Sequence, residues 1–264
     1  MVEKLKSIII WLTIEQWEQI DRDYKKENSF NMKVFIVFII AAINLIVANY
    51  YGKVDFICSF DSVNKFFSSL PYPNLWGYFY WAIFNVINFF LFPYLVIKFI
   101  YKENVRDYGF HMPESHKIHL LYVVMFFVVL PLVYLVSFSK PFLDMYPFYK
   151  EISSIREILI WEGAYGLQFL MLEFFFRGFL LFALARYMGS YAIFFMTIPY
   201  VMIHFNKPAI ETFGAIITGA ALGTLALRTK SIYGGVIIHV SIAWSMDFFA
   251  LMQKGQLMKI FKNW

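Results

Sequence analysis

The chain has 264 residues, 60% of them hydrophobic, 22% aromatic and only 16% charged, with a mean hydropathy of +0.60. That balance is too apolar for a soluble globule. The formal charge of +5 comes without a basic run, so nucleic acid is not an expected partner. The single cysteine, Cys58, excludes an intrachain disulfide and any multi-cysteine metal site.

The N-terminal stretch Ile8–Leu12 is apolar but short, and acidic residues follow where a cleavage site should lie, so no secretory signal is expected. Ile9, Leu12, Ile20, Trp11 and Trp17 have the pattern of an amphipathic helix. It either lies at headgroup level or packs on the core. A crossing needs roughly 20 mainly apolar residues. Such runs fall at about 34–50, 76–101, 118–138, 157–184, 190–205, 210–227 and 231–252. The fold class predicted is all-α, a polytopic transmembrane bundle of about seven spans with an N-terminal amphipathic helix. The setting is a multi-pass protein of the cell membrane, with lipid as its surroundings. The Lys and Arg distribution modestly favours a cytoplasmic N-terminus and an outside C-terminus.

Two regions follow from the connection lengths. Residues 1–150 hold the amphipathic helix and three spans, with long polar connections at 52–75 and 102–117. Residues 151–264 hold four closely spaced spans, as in a compact bundle. His111, His116 and His119 lie in or beside the second connection and read as surface residues. Gly219 and Gly223 form a GxxxG on the sixth span, a spacing that lets helix backbones approach closely.

Chemistry concentrates in the second region. Glu173 lies inside an apolar run, where a carboxylate costs on the order of 3 kcal/mol or more and usually serves a function. Glu162 lies eleven residues earlier and so shares its helix face to within about 20°. Tyr165 falls within about 80° of that face, and Arg177 follows one turn beyond Glu173. The plainest reading of Glu173 is an i,i+4 ion pair with Arg177. The catalytic reading makes it a general base toward water. His204 precedes the helix-stopping Pro208 and suits an interfacial or capping role, while Glu211 follows seven residues later. His239 lies within the last span and needs a partner or a cavity. Asp247, two turns on and offset by about 80°, is a candidate polar partner.

Glu173-Phe174-Phe175-Phe176-Arg177, a helix ending in His204, and then His239 resemble, in order and spacing, the CAAX-protease and bacteriocin-processing family of intramembrane proteases. The likeness covers about residues 155–250. The family's EExxxR motif falls on Leu172 and Glu173, so one acid of the pair is replaced. Its FxxxH motif begins at Tyr200, and the Asn or Asp of its last motif falls on Ala243. What the resemblance implies is endoproteolysis of a peptide or protein substrate within or beside the membrane. Glu173 would deprotonate a water held near His204 and His239, with Arg177 orienting the carboxylate and Tyr165 offering a phenolic donor. Glu162, Glu211 or Asp247 would compensate for the missing groups. Glu173, His204 and His239 would supply three ligands if a Zn²⁺ is used, and a metal-free scheme is the alternative.

Three functions from different classes remain at this point. The peptidase requires Glu173, His204 and His239 to converge on a wet cavity. A non-catalytic scaffold or immunity-type relative would keep the fold, with Glu173 consumed by Arg177. A proton-coupled carrier would use the same acids as a relay, and usually has internal repeats, which the chain lacks.

Overall fold

The computed structural model describes residues 2–24, 31–112 and 116–262, and among these every regular element is helical. In chain order the helices are α1 (Val2–Leu12), α2 (Ile14–Tyr24), α3 (Met32–Tyr51), α4 (Val54–Cys58), α5 (Asp61–Ser68), α6 (Leu75–Tyr101) and α7 (His116–Val136). They continue with α8 (Lys140–Met145), α9 (Ile155–Met188), α10 (Tyr191–Met202), α11 (Ala209–Thr229), α12 (Tyr233–Gln253) and α13 (Leu257–Lys262).

Among the described residues five helices are long and apolar enough to cross a membrane: α3, α6, α9, α11 and α12. Two of the seven apolar runs form shorter apolar helices, Leu120–Val136 and Tyr191–Met202. At about 1.5 Å per residue, α10 is roughly 18 Å long. Pro199 lies inside it, and the chain turns at Ile203 rather than continuing through 205. Windows of π-helix interrupt α6 at Val86–Leu91 and Val96–Tyr101, and α9 at Phe174–Leu180. Such wide turns are rare and often accompany functional sites. The side chains of His116 and His119 lie outside the described residues, and His111 is exposed.

Contacts divide the chain into two compact units, each drawn from both sides of residue 150. One comprises Met1–Ala41, Tyr94–His119 and Glu173–Gly235. The other comprises Ala42–Pro93, Leu120–Leu172 and Val236–Trp264.

In the first unit the N-terminal pattern resolves into two roles. On α2, Ile20 is fully buried, and the Trp17 indole N–H donates to Thr224 Oγ1 at 3.2 Å, with its ring edge-on to Phe194 at 5.1 Å. On α1, by contrast, Ile8, Ile9 and Trp11 stay exposed. The apolar face of α2 therefore serves packing. Glu103 fastens three segments: it accepts from Lys33 Nζ at 2.5 Å and the Tyr108 hydroxyl at 2.6 Å, and lies 3.0 Å from Arg186. The GxxxG is a packing motif. A Cβ on Gly219 would fall 2.8 Å from Thr197 Cγ2, so only glycine lets α11 lie this close to α10.

In the second unit Asn44 and Asn88 exchange bonds, each amide donating to the other's backbone carbonyl at 2.8 and 2.9 Å. Amides inside apolar spans need such reciprocity, because hydrocarbon offers no partner. The start of α9 is capped by Ser154 Oγ, which accepts the Glu157 N–H at 3.2 Å, while the Glu157 carboxylate accepts the Ser153 N–H at 2.8 Å and the Tyr149 hydroxyl at 2.9 Å. A close-packed aromatic series follows along α9. Trp161 meets Tyr78 edge-on at 4.9 Å and stacks on Tyr165 at 4.9 Å, and Tyr165 meets Phe169 at 4.7 Å. Aromatic pairs of this kind contribute about 0.5–1.5 kcal/mol each beyond area burial.

Candidate active site

The chemistry of the first unit starts at the π-helical turn of α9. There the Leu181 N–H reaches back to Phe176 O, five residues earlier. Glu173 enters this turn and Arg177 lies within it, with guanidinium Nη1 3.0 Å from carboxylate Oε1 and both side chains 0% exposed. The other face of the guanidinium lies over the Tyr200 ring, with Cζ 4.0 Å from the centroid. A desolvated cation held between a carboxylate and an aromatic face is locked in orientation as well as charge.

Tyr200 also organises His204. The two rings lie 4.7 Å apart edge-on, and His204 Nδ1 is 2.8 Å from the Tyr200 carbonyl oxygen. A carbonyl only accepts, so Nδ1 carries the proton and Nε2 is the basic nitrogen of the neutral ring. Beyond the end of α10, the His204 carbonyl accepts the Thr212 hydroxyl at 2.7 Å, tying the turn to α11. Glu173, Arg177, Tyr200 and His204 are thus one continuous series of contacts.

Gly235 completes the surroundings of the acid. It lies in the first turn of α12, and a Cβ there would fall 2.6 Å from Glu173 Oε2. Glycine lets the helix start reach the carboxylate, and the positive end of a helix favours an anion. The acid is therefore flanked by a guanidinium and a helix N-terminus.

The other residues singled out in the sequence have partners within their own units. Lys207 Nζ donates to Glu211 Oε1 at 2.7 Å, so that carboxylate is neutralised locally. In the second unit Asp247, 0% exposed, accepts the Trp161 indole N–H on Oδ2 at 2.7 Å. Tyr165 is enclosed between the Trp161 and Phe169 rings. The His239 ring lies 4.4 Å from that of Phe169, placing it at the end of the same aromatic series. Glu162 holds α12 through its backbone, accepting the Trp244 indole N–H at 3.1 Å. Its Oε2 is buried and has no hydrogen-bond partner among the described residues.

Within each unit, among the described residues, no three His, Cys, Asp or Glu side chains group as a metal-ion site.

Two partnerships were missed in the sequence. The buried Glu157 carried a signal, since Ser154-Ile155-Arg156-Glu157 has capping-box spacing. The Tyr200 contribution had none beyond its place in the motif, because a ring bridging Arg177 and His204 is a product of packing.

The order of acid, arginine and histidine on successive helices can be compared with known families. Residues 156–245 match the family model described as Type II CAAX prenyl endopeptidase Rce1-like. That segment resembles this family. It contains Glu173, Arg177, His204 and His239 and ends just short of Asp247. The family is a protease family, and the several long apolar helices make this an integral, multi-pass membrane protein. No curated protein and no solved structure gives a match.

Proposed function

We propose that this chain is an intramembrane endopeptidase of the CAAX type, acting in the cell membrane on peptide bonds of a membrane-associated polypeptide. The single observation that carries the reading is the Glu173–Arg177–Tyr200–His204 series within the Rce1-like segment. In this scheme Glu173 takes a proton from the attacking water, and Arg177 and the start of α12 stabilise the carboxylate between turnovers. His204, its Nδ1 proton committed to the Tyr200 carbonyl, works through Nε2. It receives at Nε2 the proton that Glu173 took from water and, as imidazolium, passes it to the departing amine as the C–N bond breaks. His239 has its role from the motif order. Leu172, where the family has an acid, leaves the water to Glu173 alone.

A second reading is favoured by one specific observation. Glu173 and Arg177 are both fully enclosed and paired, the arrangement expected of a non-catalytic relative that keeps the fold. One experiment separates the two. The protein, reconstituted in lipid nanodiscs, is given a fluorogenic library of prenylated and unprenylated peptides beside Glu173→Gln and His204→Ala variants, with metal content measured in parallel. Loss of a general base or acid lowers turnover by about 10²–10⁴-fold. A drop of that size, with melting temperature preserved, supports the peptidase. Absence of cleavage in the parent, or cleavage undiminished in both variants, supports the silent relative.

A further inference from the structure

A second site lies in the other unit, in residues that precede the Rce1-like segment. Here α4, α5, the start of α6 and the stretch 149–151 line a half-open cavity of about 230 Å³. Space of that size holds several waters, the scale of one long side chain. Gly77 is in the lining, and a Cβ there would fall 2.7 Å from Val54 and 3.2 Å from the Cys58 sulfur. Phe67, Tyr78 and Tyr149 contribute aromatic walls, and the Tyr78 and Tyr149 rings stand edge-on at 5.6 Å.

The charges in the lining of this cavity are one carboxylate and one ammonium. Glu151 lines it and is oriented by the Asn74 amide, which donates to Oε2. Asp55, on α4, acts on the cavity thiol: burial first, and then the Asp55 carboxylate, hold Cys58 above its ordinary value. Lys150 is the cation in the lining, and its ammonium is committed to the Asp144 and Met145 carbonyls at 2.8 and 2.7 Å. Burial, and then the nearby Lys254, bring Lys150 down to about 8, so it carries less than a full charge just above neutrality.

We infer that this cavity receives an organic cation, the guanidinium or ammonium of a peptide side chain, stacked on Tyr78 and Tyr149 and paired with Glu151. Aromatic faces beside a carboxylate are the chemistry that selects such a group over a neutral one. The site is independent of the peptidase reading, since no residue of the Glu173 series lines it.

Cys58 makes the test direct, because it lines the cavity and is the chain's single cysteine. The full-length protein in nanodiscs is alkylated with iodoacetamide at fixed pH, and the rate is followed by mass spectrometry. The additions are N-acetyl-argininamide, its neutral isostere N-acetyl-citrullinamide, or choline. Ligand near twice its Kd should slow labelling about threefold. Argininamide is expected to do so and citrullinamide is not. Glu151→Gln, at an exposed position, should abolish the protection without changing the melting temperature. Equal protection by citrullinamide, or persistence of protection in the Glu151→Gln variant, would overturn the charge assignment. Protection by choline alone would overturn the peptide assignment, and no protection by any addition would overturn the site.

Discussion

Asp21 Oδ1 accepts the backbone N–H of Ser190 at 2.5 Å, a bond between positions 169 apart in the chain. Ser190 opens α10, so a carboxylate from α2 satisfies a free donor at the head of the helix whose far end leads to His204. Replacing an N-capping acceptor typically costs about 1 kcal/mol. Asp21→Ala should lower the melting temperature in detergent accordingly. Removing residues 2–12 should matter less than removing 2–24, because α2, not α1, carries the buried Ile20 and the Trp17 bond. A protein that melts normally without α2 would contradict this packing.

The Glu173–Arg177 pair sets a second expectation. Taking one partner from a buried ion pair leaves a charge without compensation, at a cost of about 3–5 kcal/mol in soluble hosts. Arg177→Met should therefore destabilise strongly, and the double variant Glu173→Gln/Arg177→Met should recover much of the loss. Thermal unfolding of the four proteins in a double-variant cycle measures the coupling. Additive effects would mean the two side chains do not depend on each other.

Gly235→Ala tests the site rather than the scaffold. The added methyl would stand 2.6 Å from Glu173 Oε2, so the carboxylate or the start of α12 must move. A displacement near 1 Å can cost about 10²-fold in turnover. Peptide cleavage should fall far more than stability does, whereas Gly163→Ala, where a Cβ meets nothing within 4 Å, should leave activity unchanged.

Glu103 gives a pH dependence. Burial alone would raise its carboxyl, but hydrogen bonds from Lys33 and Tyr108 and the charge of Arg186 outweigh it and hold the group below its ordinary 4.5. A depressed folded-state value means that stability is present above about 4.5 and is lost as pH falls through the lower, folded value. Acid unfolding curves of the parent should steepen in that window, and Glu103→Gln should be less stable at neutral pH but flatter in acid. Parallel curves would show that Glu103 does not control the acid limb.

Much of this architecture was readable from composition and spacing, since apolar runs long enough to span are set by bilayer thickness alone. The unreadable part depended on contacts between distant segments. The run at 190–205 has the composition of a span, yet α10 stops at Met202 because Ile203–Asn206 turns to bring His204 back to Tyr200. The pattern of Trp17 and Ile20 fits a headgroup or a protein surface equally well, and only Thr224 and Phe194 decide between them. Asp247 was read as a candidate polar partner for His239, whereas the donor that it takes within its unit, the Trp161 indole, lies 86 positions away. The π-helical turns leave no sequence period, because an i→i+5 bond is chosen by packing around it. The acid, the arginine and the histidine were legible because each polar group within an apolar run is individually costly.

The wide turn at Phe174–Leu180 holds more residues per revolution than the helix on either side. A wide turn of this kind absorbs one surplus residue, so excising one from it would let ordinary α-helical bonding resume there while the positions downstream kept their direction around the axis. Leu181, Leu184 and Ala185, all fully enclosed, would keep their sockets. A one-residue deletion within these seven positions should therefore be tolerated far better than one in the ordinary helix on either side, where nothing absorbs the shift.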